Sequence, residues 1–268
     1  MTEALPAVDF ARLGPAPGFK LVVTGGAGGI GRRLVQVAVR TGLRVAVIDL
    51  AASLAQAPPP PGVLAVRFDA TDEGATAAAF AEVAGEWGGA IDGLVHLPGF
   101  MNRKAPVADL TLAEIDEVLS VNLRSAFLAA RAALPLMRAS ACASLVFAAS
   151  GLATLVEPAT TTYAAAKAGI IALAKGLAKE NAPRIRANCI APGAVDTAFL
   201  RGGTGRDAGP NDPDFALPGG RAAMLGTIPL GRIAVVDDVV GPILFLLSDK
   251  ARFMTGQTLY INGGRLMV

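Results

Sequence analysis

Seven short runs rich in β-branched and small apolar residues recur along the chain, and each but the last is followed by a stretch long enough for a helix. They are "KLVVTG" from Lys20, "RVAVIDL" from Arg44, "VLAVRFDA" from Val63, "DGLVHLPG" from Asp92, "ASLVFAAS" from Ala143, "IRANCIAPG" from Ile185 and "QTLYING" from Gln257. Strands separated by a helix-length crossover pair in parallel, and helices then cover both faces of the sheet. The pattern therefore predicts an α/β chain built on a doubly wound parallel sheet. Helical spacing supports it: Leu34, Val37 and Ala38 after the first run, and Leu119, Leu123 and Phe127 after the fourth, read as core-facing stripes.

The turn after the first run, "TGGAGGIG", narrows this to a Rossmann-type fold. Gly25 permits a tight turn, Gly29 lets backbone approach a pyrophosphate, and Gly31 permits close helix–sheet packing. The free N–H groups at the start of that helix, with Ile30 among them, then face the anion. Eighteen residues after Gly31, Asp49 ends the second run, where a carboxylate accepts hydrogen bonds from the adenosine ribose hydroxyls. Its charge repels a 2′-phosphate and nothing basic follows at Leu50 or Ala51, so NAD is favoured over NADP. Arg32 and Arg33 are alternative phosphate ligands, or simply solvated on the exposed side of the helix.

At 268 residues and 53% hydrophobic content, the chain reads as a single domain over 20–268. An arm over 1–19 precedes it, carrying Pro6, Pro15 and Pro17. "APPPPG" at 57–62 is a connector, and no repeat is present. The Gly-, Pro- and Asp-rich stretch from Phe199 to Arg221 reads as a substrate lid at about 198–225, because long loops inside compact domains are usually functional.

Charge and cysteine usage exclude several classes. Lys and Arg total 24 against 22 Asp and Glu, with no basic cluster, so no nucleic-acid footprint is present. Cys142 and Cys189 form neither a disulfide framework nor a metal set, and a reducing cytoplasm fits. The N-terminus lacks a basic segment before an apolar one, and the apolar runs are too short or too charged to span a membrane. A soluble protein with no metal is expected.

In "TTTYAAAKAG", Tyr163 and Lys167 stand one helical turn apart on one face. A nearby ammonium favours the phenolate, which turns a weak acid into a usable proton shuttle; a surface pair with no role is the bland alternative. Ser150 ends the fifth run thirteen residues earlier, at the strand end where such sheets place ligands.

Taken in order, "TGGAGGIG", Asn122 in "VNLRSAF", Ser150, "YAAAK" and "APGAVDT" resemble the short-chain dehydrogenase/reductase family, from about Lys20 to the C-terminus. The resemblance implies that Tyr163 is the general acid/base, that Lys167 binds the nicotinamide ribose and lowers the tyrosine pKa, and that Ser150 holds the substrate oxygen. Asn122 would hold a water leading to Lys167, or bond nearby backbone. Val195 and Thr197 would meet the carboxamide, and Asp69 and Ala70 the adenine, although Asp69 also reads as a helix N-cap. Many such proteins are homotetramers, so a homotetramer or homodimer is implied.

Phe100, Met101, Leu152, Val156, Pro158, Phe199 and Leu200 are the candidate pocket, mostly apolar. The function expected is hydride transfer between NAD(H) and a hydrophobic secondary alcohol or ketone. Alternatives are a 3-oxoacyl thioester reductase using NADPH and a catalytically silent NAD-binding regulator. Arg201, Arg206 and Arg221 in the lid either meet an acidic substrate or are solvated beside Asp207, Asp212 and Asp214.

One departure from the family pattern is "HLPGF". Where relatives carry Asn-Asn-Ala-Gly, this chain has His96, Leu97, Pro98 and Gly99. Leu97 and Gly99 are expected to pass the adenosine ribose with their backbone. His96, the only histidine, reads as a structural replacement bonded to neighbouring backbone at the sheet edge, since Tyr163 supplies the proton chemistry and a metal role lacks partners.

Overall fold

All seven runs are strands of one parallel sheet in the computed structural model, which describes residue 8, residues 10–203 and residues 220–268. The strands are β1 (Lys20–Thr24), β2 (Arg44–Asp49), β3 (Leu64–Arg67), β4 (Gly93–His96), β5 (Ala143–Ala148), β6 (Ile185–Pro192) and β7 (Thr258–Ile261). Their spatial order is β3-β2-β1-β4-β5-β6-β7. The chain builds outward from β1 and then returns to the other side of it, so β1 and β4 diverge at their carboxyl ends and open a crevice.

The helices are α1 (Gly29–Arg40), α2 (Ala51–Gln56), α3 (Glu73–Trp87), α4 (Leu112–Leu119), α5 (Ser125–Met137), α6 (Thr161–Asn181), α7 (Gly220–Gly226) and α8 (Val236–Leu247). One core packs α3, α5 and α6 on the sheet through Phe80, Trp87, Met137 and Ile170. The other packs α1 and α8 through Leu34, Ala38, Ile243 and Leu246. Arg33 is not simply solvated: its guanidinium pairs with Asp237, tying α1 to the first turn of α8.

The stripe predicted after the fourth run does not continue through that region. Phe127 is 52% exposed, and Leu119 and Leu123 are only partly buried. A π-helical turn, Ser120–Arg124, lies between α4 and α5 and widens the ring, which rotates the following face. The buried stripe of α5 is instead Ala126, Ala129, Ala130 and Ala133, whose small side chains let the helix lie close to the sheet. Phe127 and Leu123 line a shallow surface groove with Leu134 and Leu173.

Helix ends follow local chemistry. The N-cap of α3 is Asp72, whose carboxylate accepts from the Ala75 N–H at 2.7 Å, and not Asp69. α4 opens on a capping box between Thr111 and Glu114.

Of the arm, Phe10 and Leu13 are exposed, while the Gly18 N–H bonds the Gly42 carbonyl and the Phe19 carbonyl accepts from Arg44. The expected lid is described only at its two ends, a 3-10 turn at Ala198–Arg201 and α7; Arg206, Asp207, Asp212 and Asp214 lie outside the described residues. Among the described residues, no helix is long and apolar enough to cross a membrane.

Candidate active site

A cavity of about 550 Å³ opens at the carboxyl ends of the strands. Gly25, Gly29, Ile30 and Gly31 form part of its wall, and each glycine has a steric reason. Gly25 has φ +73°, and a Cβ on it would lie 3.0 Å from the Pro98 nitrogen. A Cβ on Gly29 would sit 2.7 Å from Thr197 Cγ2, and one on Gly31 would sit 2.3 Å from the Gly25 carbonyl oxygen. The turn is thus packed against the start of α1, whose N-cap, Gly28, supplies no side-chain acceptor. A backbone cradle with a positive helix end facing the cavity suits a phosphate group.

Asp49 stands at the end of β2 beside this cradle. Its Oδ2 accepts from the Ala27 N–H at 2.8 Å and its Oδ1 from the Leu50 N–H at 2.7 Å. Burial raises the carboxyl pKa, and these backbone bonds oppose that. Asp49, Leu50, Asp69, Ala70, Leu97, Gly99, Val195 and Thr197 all line the cavity. Asp69 closes a local turn by accepting from the Thr71 N–H and hydroxyl at 2.9 and 2.7 Å.

At the other end of the cavity, α6 presents Tyr163 and Lys167 beside Ser150. Ser150 Oγ accepts from the Leu152 N–H at 3.2 Å, which fixes the hydroxyl at the mouth of a 3-10 turn. Lys167 Nζ donates to the Ala148 carbonyl at 2.9 Å and, at 3.5 Å, to Pro98, so the ammonium is held between the ends of β5 and β4. It lies 5.6 Å from the centre of the Tyr163 ring.

The electrostatics differ from the expectation that Lys167 lowers the tyrosine pKa. Burial pushes the Tyr163 phenol up to about 12, opposed by a hydrogen bond with Ser150. Burial also draws Lys167 down to about 7. The phenol therefore keeps its proton at neutral pH, because removing the pair from water costs more than their attraction returns.

Asn122 sits in the π-helical turn, fully buried. Its Nδ2 donates to the carbonyls of Phe100 at 2.6 Å and Val118 at 2.9 Å, and its Oδ1 accepts from the Phe100 N–H at 3.2 Å. These are the bonds to nearby backbone that the sequence allows for it. The bonds clamp the segment after β4 onto the helix layer.

His96 is buried and bonds two side chains, not the backbone partners expected. β4 is also an interior strand, so the residue lies at the sheet's carboxyl end and not on an outer strand. His96 and Thr24 are register partners across β1 and β4, with Nδ1 2.9 Å from Thr24 Oγ1. Nε2 lies 3.1 Å from Ser125 Oγ, whose own proton goes to the Val121 carbonyl at 2.6 Å. That hydroxyl is therefore an acceptor for the ring, which assigns the neutral tautomer with hydrogen on Nε2 and with Nδ1 accepting from Thr24. The imidazole braces the crevice where β1 and β4 diverge.

Phe100, Leu152 and Phe199 pack with Met101 around Tyr163, the Phe199 and Tyr163 rings lying 6.1 Å apart. Leu200 also lines the cavity, packed on Met224. Val156 does not belong: it is 53% exposed and absent from the wall, as is Pro158, because the segment turns Leu155 inward instead. Arg201 pairs with Asp196 at 2.5 Å, a partner the sequence does not single out. The sequence reading missed Leu155, Met224 and the C-terminal residues Asn262, Arg265 and Leu266 on the wall. The signal for the last three was Gly263-Gly264, both with positive φ, which folds the tail back after β7. No group of His, Cys, Asp or Glu among the described residues is arranged to hold a metal ion.

Residues 25–265 match a family profile described as enoyl-(acyl carrier protein) reductase. A cis-4-hydroxycyclohexanecarboxylate dehydrogenase of Sinomonas cyclohexanicum is 34% identical, over 91% of this chain and 94% of that one. A 3-oxoacyl-[acyl-carrier-protein] reductase of Salmonella typhimurium is 30% identical, over 92% and 97%. Among solved structures, one named as a short-chain dehydrogenase/reductase, glucose/ribitol dehydrogenase, from Brucella melitensis superposes with a TM-score of 0.83 at 27% identity, over 95% of this chain and 99% of that one.

Proposed function

The chain belongs to the short-chain dehydrogenase/reductase family, oxidoreductases acting on alcohols and ketones, and from that premise we propose that it moves a hydride between NAD(H) and a largely hydrophobic secondary alcohol or ketone. The observation that carries this reading is one cavity with Asp49 beside the glycine cradle at one end and Ser150, Tyr163 and Lys167 at the other. The cradle fits a dinucleotide, since a Cβ at any of its three glycines would collide with its surroundings. When bound, the nicotinamide supplies the hydride acceptor or donor.

The residues then act as follows. Gly25, Gly29, Ile30 and Gly31 hold the pyrophosphate, Asp49 and Leu50 the adenosine ribose, Asp69 and Ala70 the adenine, and Val195 and Thr197 the carboxamide. Ser150 and Tyr163 hydrogen-bond the substrate oxygen, and Tyr163 takes or gives its proton. Lys167 holds a ribose hydroxyl and places positive charge near the oxygen where negative charge develops. A water on Asn122 Oδ1, which retains acceptor capacity beyond its bond to Phe100, links Lys167 to solvent.

Cofactor choice is tested at Asp49. Its carboxylate disfavours a 2′-phosphate, so Asp49→Ala is expected to shift the NAD/NADP ratio of kcat/KM toward NADP by roughly tenfold or more. An unchanged ratio removes Asp49 from this role. A parent enzyme that turns over ketones with NADPH only would replace the present reading with the 3-oxoacyl reductase one.

The exposed Phe127, with the half-buried Leu123 of the π-helical turn and Leu134 and Leu173 of α5 and α6 beside it, supports a homotetramer or homodimer, for which we propose a cytoplasmic location. Light scattering is expected to give a multiple of the chain mass. A monomer at micromolar concentration would refute the assembly.

A further inference from the structure

Arg265 occupies a built position on the cavity wall that the reaction chemistry does not use. After β7 the chain turns sharply at Gly263 and Gly264, with φ +65° and +90°. Asn262 locks that turn, its Oδ1 accepting from the Gly264 N–H at 2.9 Å and its Nδ2 donating to the Leu266 carbonyl at 2.9 Å. Arg265 is thereby fixed between two bonded residues, with its side chain 17% exposed. Its Nη2 donates to Glu157 Oε1 at 2.6 Å. Its Nε is buried and has no hydrogen-bond partner among the described residues.

A guanidinium offers five N–H donors, and the bond to Glu157 engages one of them, so a side chain on the cavity wall keeps donors for an acceptor carried by a ligand. Glu157 is not on the cavity wall; it stands behind Arg265, on the segment six residues before Tyr163. The cavity's other charged side chains are placed elsewhere. Arg32, Asp49 and Asp69 follow β1, β2 and β3, at the opposite side of the sheet from β7, and Lys167 is at the reacting centre. Among the described residues lining the cavity, Arg265 is thus the charged group on the β7 side, on a wall that also holds apolar Leu152, Leu155 and Leu266.

We infer that Arg265 receives a carboxylate carried by the substrate, so that the enzyme acts on hydroxy acids and the corresponding keto acids, with the carbinol at Tyr163 and the acid at the C-terminal turn. The inference rests on the dehydrogenase reading above. Glu157 already neutralises part of the guanidinium charge, which suits a singly charged carboxylate better than a doubly charged phosphate. The apolar neighbours exclude water and strengthen the pairing.

The test measures NAD-dependent oxidation of straight-chain hydroxy acids of increasing length, each beside its methyl ester, in the parent and two variants. The readout is the acid-to-ester ratio of kcat/KM, taken within each protein so that general damage cancels. The parent is expected to prefer one acid by roughly tenfold to hundredfold, the scale of a charge-assisted hydrogen bond. Arg265→Leu should remove that preference, mainly through a higher KM for the acid. Glu157→Gln frees the guanidinium of its counterion and should raise the ratio, an opposite sign that simple loss of folding cannot produce. An equal ratio across all acid–ester pairs in the parent, or a ratio unmoved by both variants, overturns the inference while leaving the dehydrogenase intact. No turnover of any acid or ester, with neutral alcohols and ketones also inert, overturns the dehydrogenase reading and this inference with it.

Discussion

Replacing Tyr163 by Phe is expected to reduce kcat for both alcohol oxidation and ketone reduction by roughly a thousandfold to ten-thousandfold, with little change in cofactor affinity. The substitution removes one hydroxyl and keeps the ring that packs with Phe199 and Met101, so the wall of the site survives. What is lost is the only phenol in contact with the cavity among the described residues, the second tyrosine, Tyr260, being bonded to Thr154 at 2.7 Å and absent from the wall. Cofactor titration by nicotinamide fluorescence, beside turnover, separates the two effects. A Tyr163→Phe enzyme with parental kcat would sink the proton-shuttle assignment.

The same phenol sets the direction of pH dependence. With Tyr163 pushed up to about 12, the group is a proton donor through neutral pH. Ketone reduction is therefore expected to be sustained at neutral pH, and alcohol oxidation, which needs the deprotonated form, to rise as the solution becomes alkaline. Lys167, drawn down to about 7, is half charged near that pH, more fully charged below it and progressively less above it. Its electrostatic help to a developing oxyanion is accordingly strongest on the acid side of neutrality.

The fold was legible because parallel α/β architecture writes itself as continuous apolar runs at helix-length spacing; all seven runs became strands, with ends trimmed by one to three residues. The side chains proposed to carry the chemistry were legible for a related reason: Tyr163 and Lys167 share a helix, and Ser150 follows a strand end, so local spacing fixes their placement. What escaped was non-local. Phe127 faces out because a π-helical turn interrupts the 3.6-residue period, and nothing in the composition of Ser120–Arg124 announces a widened ring. Val156 was assigned to the pocket and Leu155 was not, since alternation in an irregular segment has no fixed phase. Arg265 reaches the cavity only because the chain reverses after the last strand. The partners of His96 come from β1 and α5, far away in sequence, and follow from sheet order alone.

His96 gives the second large effect, on stability. Burial, together with the positive charge of Lys167, pulls the imidazole pKa from 6.5 to about 3. The folded protein thus refuses a proton that the unfolded chain accepts between those values. The unfolded state binds more protons throughout that window, so stability is fully present above pH 6.5 and is lost as pH falls, by roughly 1.4 kcal/mol per unit. Paired carboxylates such as Glu114, held at about 2 by Arg103, weaken the fold only from about pH 4.5 downward, and the raised carboxyl of Asp49 works in the opposite direction, so a loss of stability between about pH 4.5 and 6.5 is the histidine's. His96→Asn removes the titration while losing the simultaneous reach to Thr24 and Ser125. It is expected to be less stable than the parent at pH 7.5 by about 1–3 kcal/mol, the cost of buried groups left unpaired, and to have a flatter acid limb. Urea midpoints measured at half-unit steps of pH decide the matter: converging curves toward low pH are the expected result, and parallel curves would show that the imidazole is not held neutral at the crevice between β1 and β4.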